Sequence, residues 1–148
     1  MKEVKCQVCR SPVMVDEQYN ADETCWICGW IQTGSSRKSP WSWSISNILS
    51  LDKARQLYKQ GKPIRPDFDD FLYFYKHYGE VEFRHNNIFY GVVRASNGIG
   101  VVFWPYNVIE NEEMTVQFDS IEDFKANAKI SGVLVKDLWD EVDEYGPM

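Results

Sequence analysis

Phe68-Asp69-Asp70-Phe71-Leu72-Tyr73-Phe74-Tyr75-Lys76-His77-Tyr78-Gly79-Glu80-Val81-Glu82-Phe83-Arg84 changes its period half-way, and that change sets the fold class. In the first half Phe68, Phe71, Leu72, Tyr75 and Tyr78 recur at three- and four-residue spacing, the apolar stripe of a helix. Asp67 stands where a cap belongs and Gly79 where a helix closes. Beyond Gly79 the period drops to two, with Val81 and Phe83 alternating with Glu80, Glu82 and Arg84. That alternation is the mark of a half-buried strand.

Towards the C-terminus the strand signals continue. His85-Asn86-Asn87 reads as a tight turn and Ile88 to Arg94 as the returning strand. Ser96-Asn97-Gly98 is a hairpin signal followed by a strand from Ile99 to Trp104, and a fourth strand is expected across Met114 to Phe118. Ser120-Ile121-Glu122-Asp123 has the form of a capping box and opens a helix through Ala128, which Gly132 breaks. Leu134, Leu138 and Trp139 suggest a last helical segment, running into an acidic tail, Asp140-Glu141-Val142-Asp143-Glu144. Residues 67–148 therefore read as an α+β domain with an antiparallel sheet and helices.

Towards the N-terminus, Ser50 is placed to cap a helix whose Leu51, Ala54, Leu57 and Tyr58 share a face, with Asp52 at its positive end. Gly61 and Pro63 stop it. Residues 34–50 are rich in serine and read as a polar linker, with Trp41 and Trp43 as apolar anchors or as an exposed patch. The expected organisation is residues 1–33 around the cysteines, 34–66 as linker and helix, and 67–148 as the α+β domain.

Cys6-Gln7-Val8-Cys9 and Cys25-Trp26-Ile27-Cys28 are separated by fifteen residues, within the spacing of a two-knuckle metal site. Two thiolates two residues apart reach one ion from a tight turn, and two such turns complete a tetrahedron. Gly29 after the second knuckle lets backbone amides approach the thiolates; Arg10 takes the equivalent place after the first. Strands across Val13 to Val15 and Glu23 to Trp26 would join the knuckles into a zinc ribbon. A disulfide framework lacks a secretion signal, and thioredoxin-like chemistry needs one such pair in a βαβ setting. Iron also accepts four thiolates, so zinc is favoured over iron without excluding it. Four thiolates close the coordination sphere, so one zinc per chain would stabilise rather than catalyse.

The 148 residues carry a formal net charge of −6, unevenly spread. Residues 1–38 balance, residues 39–66 carry +4, and residues 67–148 carry six basic against sixteen acidic groups, a net of −10. Such an acidic domain argues against general nucleic-acid binding and suits either a soluble surface or a basic protein partner. Aromatic residues reach 15%, which raises the area a short chain buries and also suits interfaces. No apolar run spans a bilayer, and Met1 to Cys6 has no signal-peptide core, so a cytoplasmic protein without membrane contact is expected.

No catalytic grouping stands out. His77 and His85 are the two histidines, and neither has a nucleophile in a recognisable setting. The carboxylate pairs Asp69-Asp70, Glu112-Glu113 and Asp140-Glu141 are adjacent, which points them apart. Asn97-Gly98-Ile99-Gly100 is better read as a turn than as a phosphate loop. A non-enzymatic role is expected; an enzyme using His77 or His85 would require both in one pocket.

Cys25-Trp26-Ile27-Cys28-Gly29-Trp30, followed by Asn47-Ile48-Leu49-Ser50-Leu51-Asp52-Lys53-Ala54-Arg55, resembles the small bacterial cysteine-rich proteins named for their CPCC motif. In these a CxxCxW knuckle precedes an N-x-L-S-L-x-x-A-R helix. The likeness spans roughly residues 6–61 and departs at the first knuckle, where Gln7 and Val8 replace a proline and a cysteine. In the second half, Glu80-Val81-Glu82-Phe83, Phe118 to Phe124, Ala128 to Gly132 and Leu138 to Val142 resemble small bacterial immunity domains, which bind toxins. That resemblance implies an immunity protein that neutralises a cognate toxin domain, a basic nuclease by charge complementarity. The acidic groups expected to meet it are Glu110, Glu112, Glu113, Asp137, Asp140, Glu141, Asp143 and Glu144. The alternative is a zinc-ribbon nucleic-acid-binding or transcription accessory protein, using the basic stretch Lys53 to Arg65 with Trp41 and Trp43.

Overall fold

A computed structural model describes residues 2–16, 23–32, 43–44, 47–105 and 115–148. The chain divides into two compact units, Met1–Pro66 and Asp67–Met148. Helices and antiparallel sheets together make the protein α+β.

In the first unit β1 (Lys2–Lys5) pairs antiparallel with β2 (Pro12–Val15), setting Val4 opposite Val13. β3 (Glu23–Thr24) pairs with β4 (Ile31–Gln32), and β5 (Trp43–Ser44) with β6 (Leu49–Ser50). Each hairpin of the first two carries one cysteine pair at its turn, so Cys25 and Trp26 belong to a knuckle rather than to the expected strand. Helix α1 (Leu51–Lys59) begins where predicted, the Ser50 hydroxyl accepting from the Lys53 amide at 3.2 Å.

The helix does not stand apart from the cysteines as a linker segment would. Its Leu51 and Ala54 are buried with Cys6, Val8, Val13, Val15, Cys25, Trp30 and Leu49 in one core. Separately, the cysteine hairpins have too few apolar residues to exclude water; α1 supplies the missing wall. Tyr58, expected on the buried face, is 45% exposed. It lies one turn beyond Ala54, where the helix passes the end of the core. Trp41 lies outside the described residues.

The second unit opens with α2 (Phe68–Tyr78), capped reciprocally: Asp67 accepts from the Asp70 amide at 2.8 Å, and Asp70 accepts from the Asp67 amide at 2.9 Å. Gly79 ends it in the left-handed conformation at φ 78°. Five antiparallel strands follow: β7 (Glu80–His85), β8 (Ile88–Arg94), β9 (Val101–Pro105), β10 (Val116–Phe118) and, later in the chain, β13 (Glu144–Pro147). Their order is β10-β9-β8-β7-β13. Between β10 and β13 come α3 (Ile121–Asn127), a small hairpin of β11 (Lys129–Ile130) and β12 (Val133–Leu134), and α4 (Val135–Leu138). The last continues as one 3-10 turn, Trp139–Glu141.

The core of this unit is aromatic. Phe71 meets Phe83 edge-on at 5.7 Å, Trp139 packs on Phe68, Phe71 and Phe83, and Phe124 closes against Phe103 and Phe118. Large rings in tilted and edge-to-face contact fill the space that so few residues must fill.

Three expectations require correction here. His85 is not in the turn: it pairs with Ile88 and is buried, and Asn86 and Asn87 make the turn alone at φ 50° and 64°. Both left-handed values fit a two-residue hairpin turn. The third strand starts at Val101 rather than Ile99, because Asn97 Oδ1 accepts from the Ile99 and Gly100 amides and holds them in the loop. The acidic run is not a free tail, since it leads into β13, which pairs along β7. Among the described residues no helix is long and apolar enough to cross a membrane.

Candidate functional site

Each knuckle is a tight turn closed by its own backbone. The Arg10 amide donates to the Cys6 carbonyl at 3.1 Å, and the Gly29 amide to the Cys25 carbonyl at 2.9 Å. Arg10 and Gly29 occupy equivalent left-handed positions, φ 68° and 82°. A Cβ on Gly29 would meet nothing within 4 Å. Glycine is suited there by backbone conformation and not, as expected from the sequence, by the space it leaves.

The two turns bring all four sulfurs within 4.8 Å of one another. Cys6 and Cys28 are 3.6 Å apart at sulfur, as are Cys9 and Cys25. A tetrahedron with metal–sulfur bonds of about 2.3 Å sets its sulfurs about 3.8 Å apart. The four free cysteines therefore fit a single ion with no position left for substrate, an arrangement compatible with a structural metal site.

Electrostatics shows why such a cluster wants a cation. Burial pushes the Cys25 thiol up, and burial with the neighbouring Cys6 sulfur drives Cys28 far above the ordinary thiol range. At Cys9 burial is the largest single influence and opposes the thiolate, but hydrogen bonds from Ser11, Cys25 and Cys28 together outweigh it and bring the group to about 7. A divalent ion bound there would take the place of the protons on the raised thiols and relieve the repulsion between sulfurs.

Around the sulfurs lies a polar frame that the sequence did not announce. Gln32 has no exposed surface; its Oε1 accepts from the Gln7 amide at 2.9 Å, and its Nε2 donates to Cys6 Sγ at 3.3 Å and to the Trp30 carbonyl at 3.1 Å. Trp30 Nε1 donates to Gln7 Oε1 at 2.9 Å, and Arg55 Nε reaches back from α1 to the Gln7 carbonyl at 2.8 Å. Asn47 acts as a surrogate strand, pairing both its amide groups with the Ile31 backbone at 2.9 Å. No periodicity marks these residues, because their partners lie far apart in the sequence rather than at a helical or strand repeat. Asn47 and Arg55 do, however, fall in the stretch quoted for the cysteine-rich resemblance.

The two knuckles differ in what they show to solvent. Gln7 and Val8, between the first pair, are buried, whereas Trp26 and Ile27, between the second, are 98% and 71% exposed.

The acidic candidates separate into three groups. Glu110, Glu112 and Glu113 lie outside the described residues. Asp137, Asp140 and Glu141 are exposed on α4 and its 3-10 extension. Asp143 and Glu144 face Arg84, whose guanidinium donates to both Asp143 oxygens at 3.0 and 2.9 Å and approaches Glu144 at 3.2 Å. The histidines lie on separate elements: His77 is exposed near the end of α2 against the Tyr73 ring, and His85 is buried at the end of β7.

Comparison with known proteins finds no matching family model, no matching curated protein and no matching solved structure.

Proposed function

We propose that this is an immunity protein: a zinc ribbon stapled by Cys6, Cys9, Cys25 and Cys28, joined to an acidic unit that binds and neutralises a basic toxin domain. The observation that carries the reading is the build of residues 135–142. Val135, Trp139 and Val142 are buried, while Asp137, Asp140 and Glu141 between them are exposed. The aromatic core thus holds three carboxylates on a short rigid segment, and Lys136 is the one cation among them. A prearranged acidic face raises encounter rates with a cationic partner and loses little entropy on docking. The net charge of −10 over residues 67–148 points the same way.

Zinc suits the donor set because four thiolates favour a soft or borderline ion and the closed site asks for no redox change. Metal analysis of the purified protein is expected to find about one zinc per chain. Protein free of metal, with four freely reactive thiols, would refute the staple.

The toxin reading requires a nuclease domain encoded beside this gene, and is tested by purifying that domain and assaying it with this protein. Excess protein is expected to abolish nuclease activity, and Asp137→Lys with Asp140→Lys and Glu141→Lys to slow association at least about tenfold at low salt. Undiminished nuclease activity at excess protein would sink the proposal. The rival nucleic-acid reading has less to work with, since Arg55 in its basic stretch is committed to the Gln7 carbonyl. Flow-through on heparin at low salt is the outcome expected of the leading reading.

A further inference from the structure

The second knuckle carries apolar surface that the metal site does not need. The residues between a pair of cysteines are free to be polar when they face water, and in the first knuckle they are instead buried and bonded into the frame. Trp26 and Ile27 are neither buried nor polar, being 98% and 71% exposed. Beside them α1 and the loop after it form a cleft of about 340 Å³, with Ile27, Tyr58, Pro63 and Ile64 as apolar walls and Lys62 on the rim. Tyr58, past the end of the core on α1, is half exposed at this cleft. Lys59 is exposed on the adjoining last turn of α1.

From this we infer that the cleft beside the second knuckle is a docking site for an acidic peptide segment carrying one bulky apolar side chain, a partner distinct from any basic protein bound by the acidic unit. The apolar walls and the exposed Trp26 and Ile27 would cover the anchor, as the buried centre of an interface does. The charge of the segment follows from Lys59 and Lys62, both exposed beside the cleft. Cys28 also borders the cleft, and a zinc–thiolate centre there would be anionic, so the lysines supply the attraction against it. A concave apolar wall favours a side chain over a nucleic-acid base, which stacks on a flat exposed ring along an extended basic track.

The test uses the full chain loaded with zinc and fluorescein-labelled twelve-residue peptides of Asp and Glu with one central Phe, Leu or Trp. Saturable binding is expected by anisotropy, at least tenfold tighter than for the same peptide with central Ala, and weakening with salt. Trp26→Ser and, away from the knuckle, the pair Tyr58→Ala with Lys62→Glu should each weaken it at least tenfold at unchanged zinc content and melting temperature. The second variant decides the matter if the first disturbs the metal turn. Equal binding of the Ala peptide, tighter binding of a twelve-nucleotide oligothymidine that displaces the peptide, or no saturable binding by any of the three anchored peptides would each overturn the proposal.

Discussion

Gln32, fully buried, uses its amide on the Gln7 backbone, the Cys6 sulfur and the Trp30 carbonyl together. Replacing it by leucine keeps the volume and strands those partners, so Gln32→Leu is expected to cost about 1–3 kcal/mol. Groups that orient ligands also tune the ion, and zinc affinity should fall roughly 10–100-fold. Competition with a chromophoric chelator measures this; a lower melting temperature at unchanged affinity would confine Gln32 to packing. At the turn positions, Gly29→Ala should cost about 1 kcal/mol although nothing crowds it, because an alanine there must hold a left-handed backbone. The proton balance gives a third expectation. Cys25 and Cys28 hold their protons more tightly than an ordinary thiol, so an incoming ion must displace them. Zinc affinity should therefore fall as pH is lowered, with protons released on binding, which chelator competition at two pH values reads directly.

Among the elements, those legible in the sequence are the ones whose ends carry their own chemistry. Ser50, Asp67 and Ser120 cap the helices they were expected to cap, and Gly79 closes α2. Seven of the described strands, β1, β4, β5, β6, β11, β12 and β13, gave no such sign. β1 offers Val4 alone between charged residues, and β13 reads Glu-Tyr-Gly-Pro, a composition that normally argues against a strand. Pro147 is tolerated because β13 lies at the sheet edge, where one side of its backbone has no strand to bond. The Arg84 fork fixes that strand from outside. Hydrogen bonding to Arg84 holds the Asp143 carboxyl below its usual value. Its contribution is then complete above the carboxyl range of the unfolded chain and lost as pH falls through the lowered folded value. Asp143→Asn should remove this acid-dependent part, leaving a flatter stability profile below neutral pH by denaturant titration.

For the molecule as a whole, each unit has its own core, one built around four cysteines and one around packed aromatic rings. Chelation or Cys25→Ser is expected to unfold residues 1–66 while residues 67–148 keep their melting transition, so calorimetry with and without chelator should lose one of two transitions. A single transition lost as a whole would mean that the two units fold as one. The cysteine cluster was legible because its ligands repeat at a fixed spacing. The part α1 plays in covering it was not, because a helix that completes a small core carries the same amphipathic pattern as one lying on a linker.

The pairing of β13 with β7 has a consequence in time. Arg84 and Asp143 stand 59 residues apart, so during synthesis β7 is made long before its outer neighbour exists. Until Glu144–Pro147 leave the ribosome, the nascent sheet ends in a row of unsatisfied amides and carbonyls able to recruit a strand from another chain. Addition of β13 along β7 is thus the last step in the assembly of this sheet. Truncation just before residue 144 would leave a nearly finished domain with a sticky border, prone to polymerise although most of its aromatic interior is already assembled.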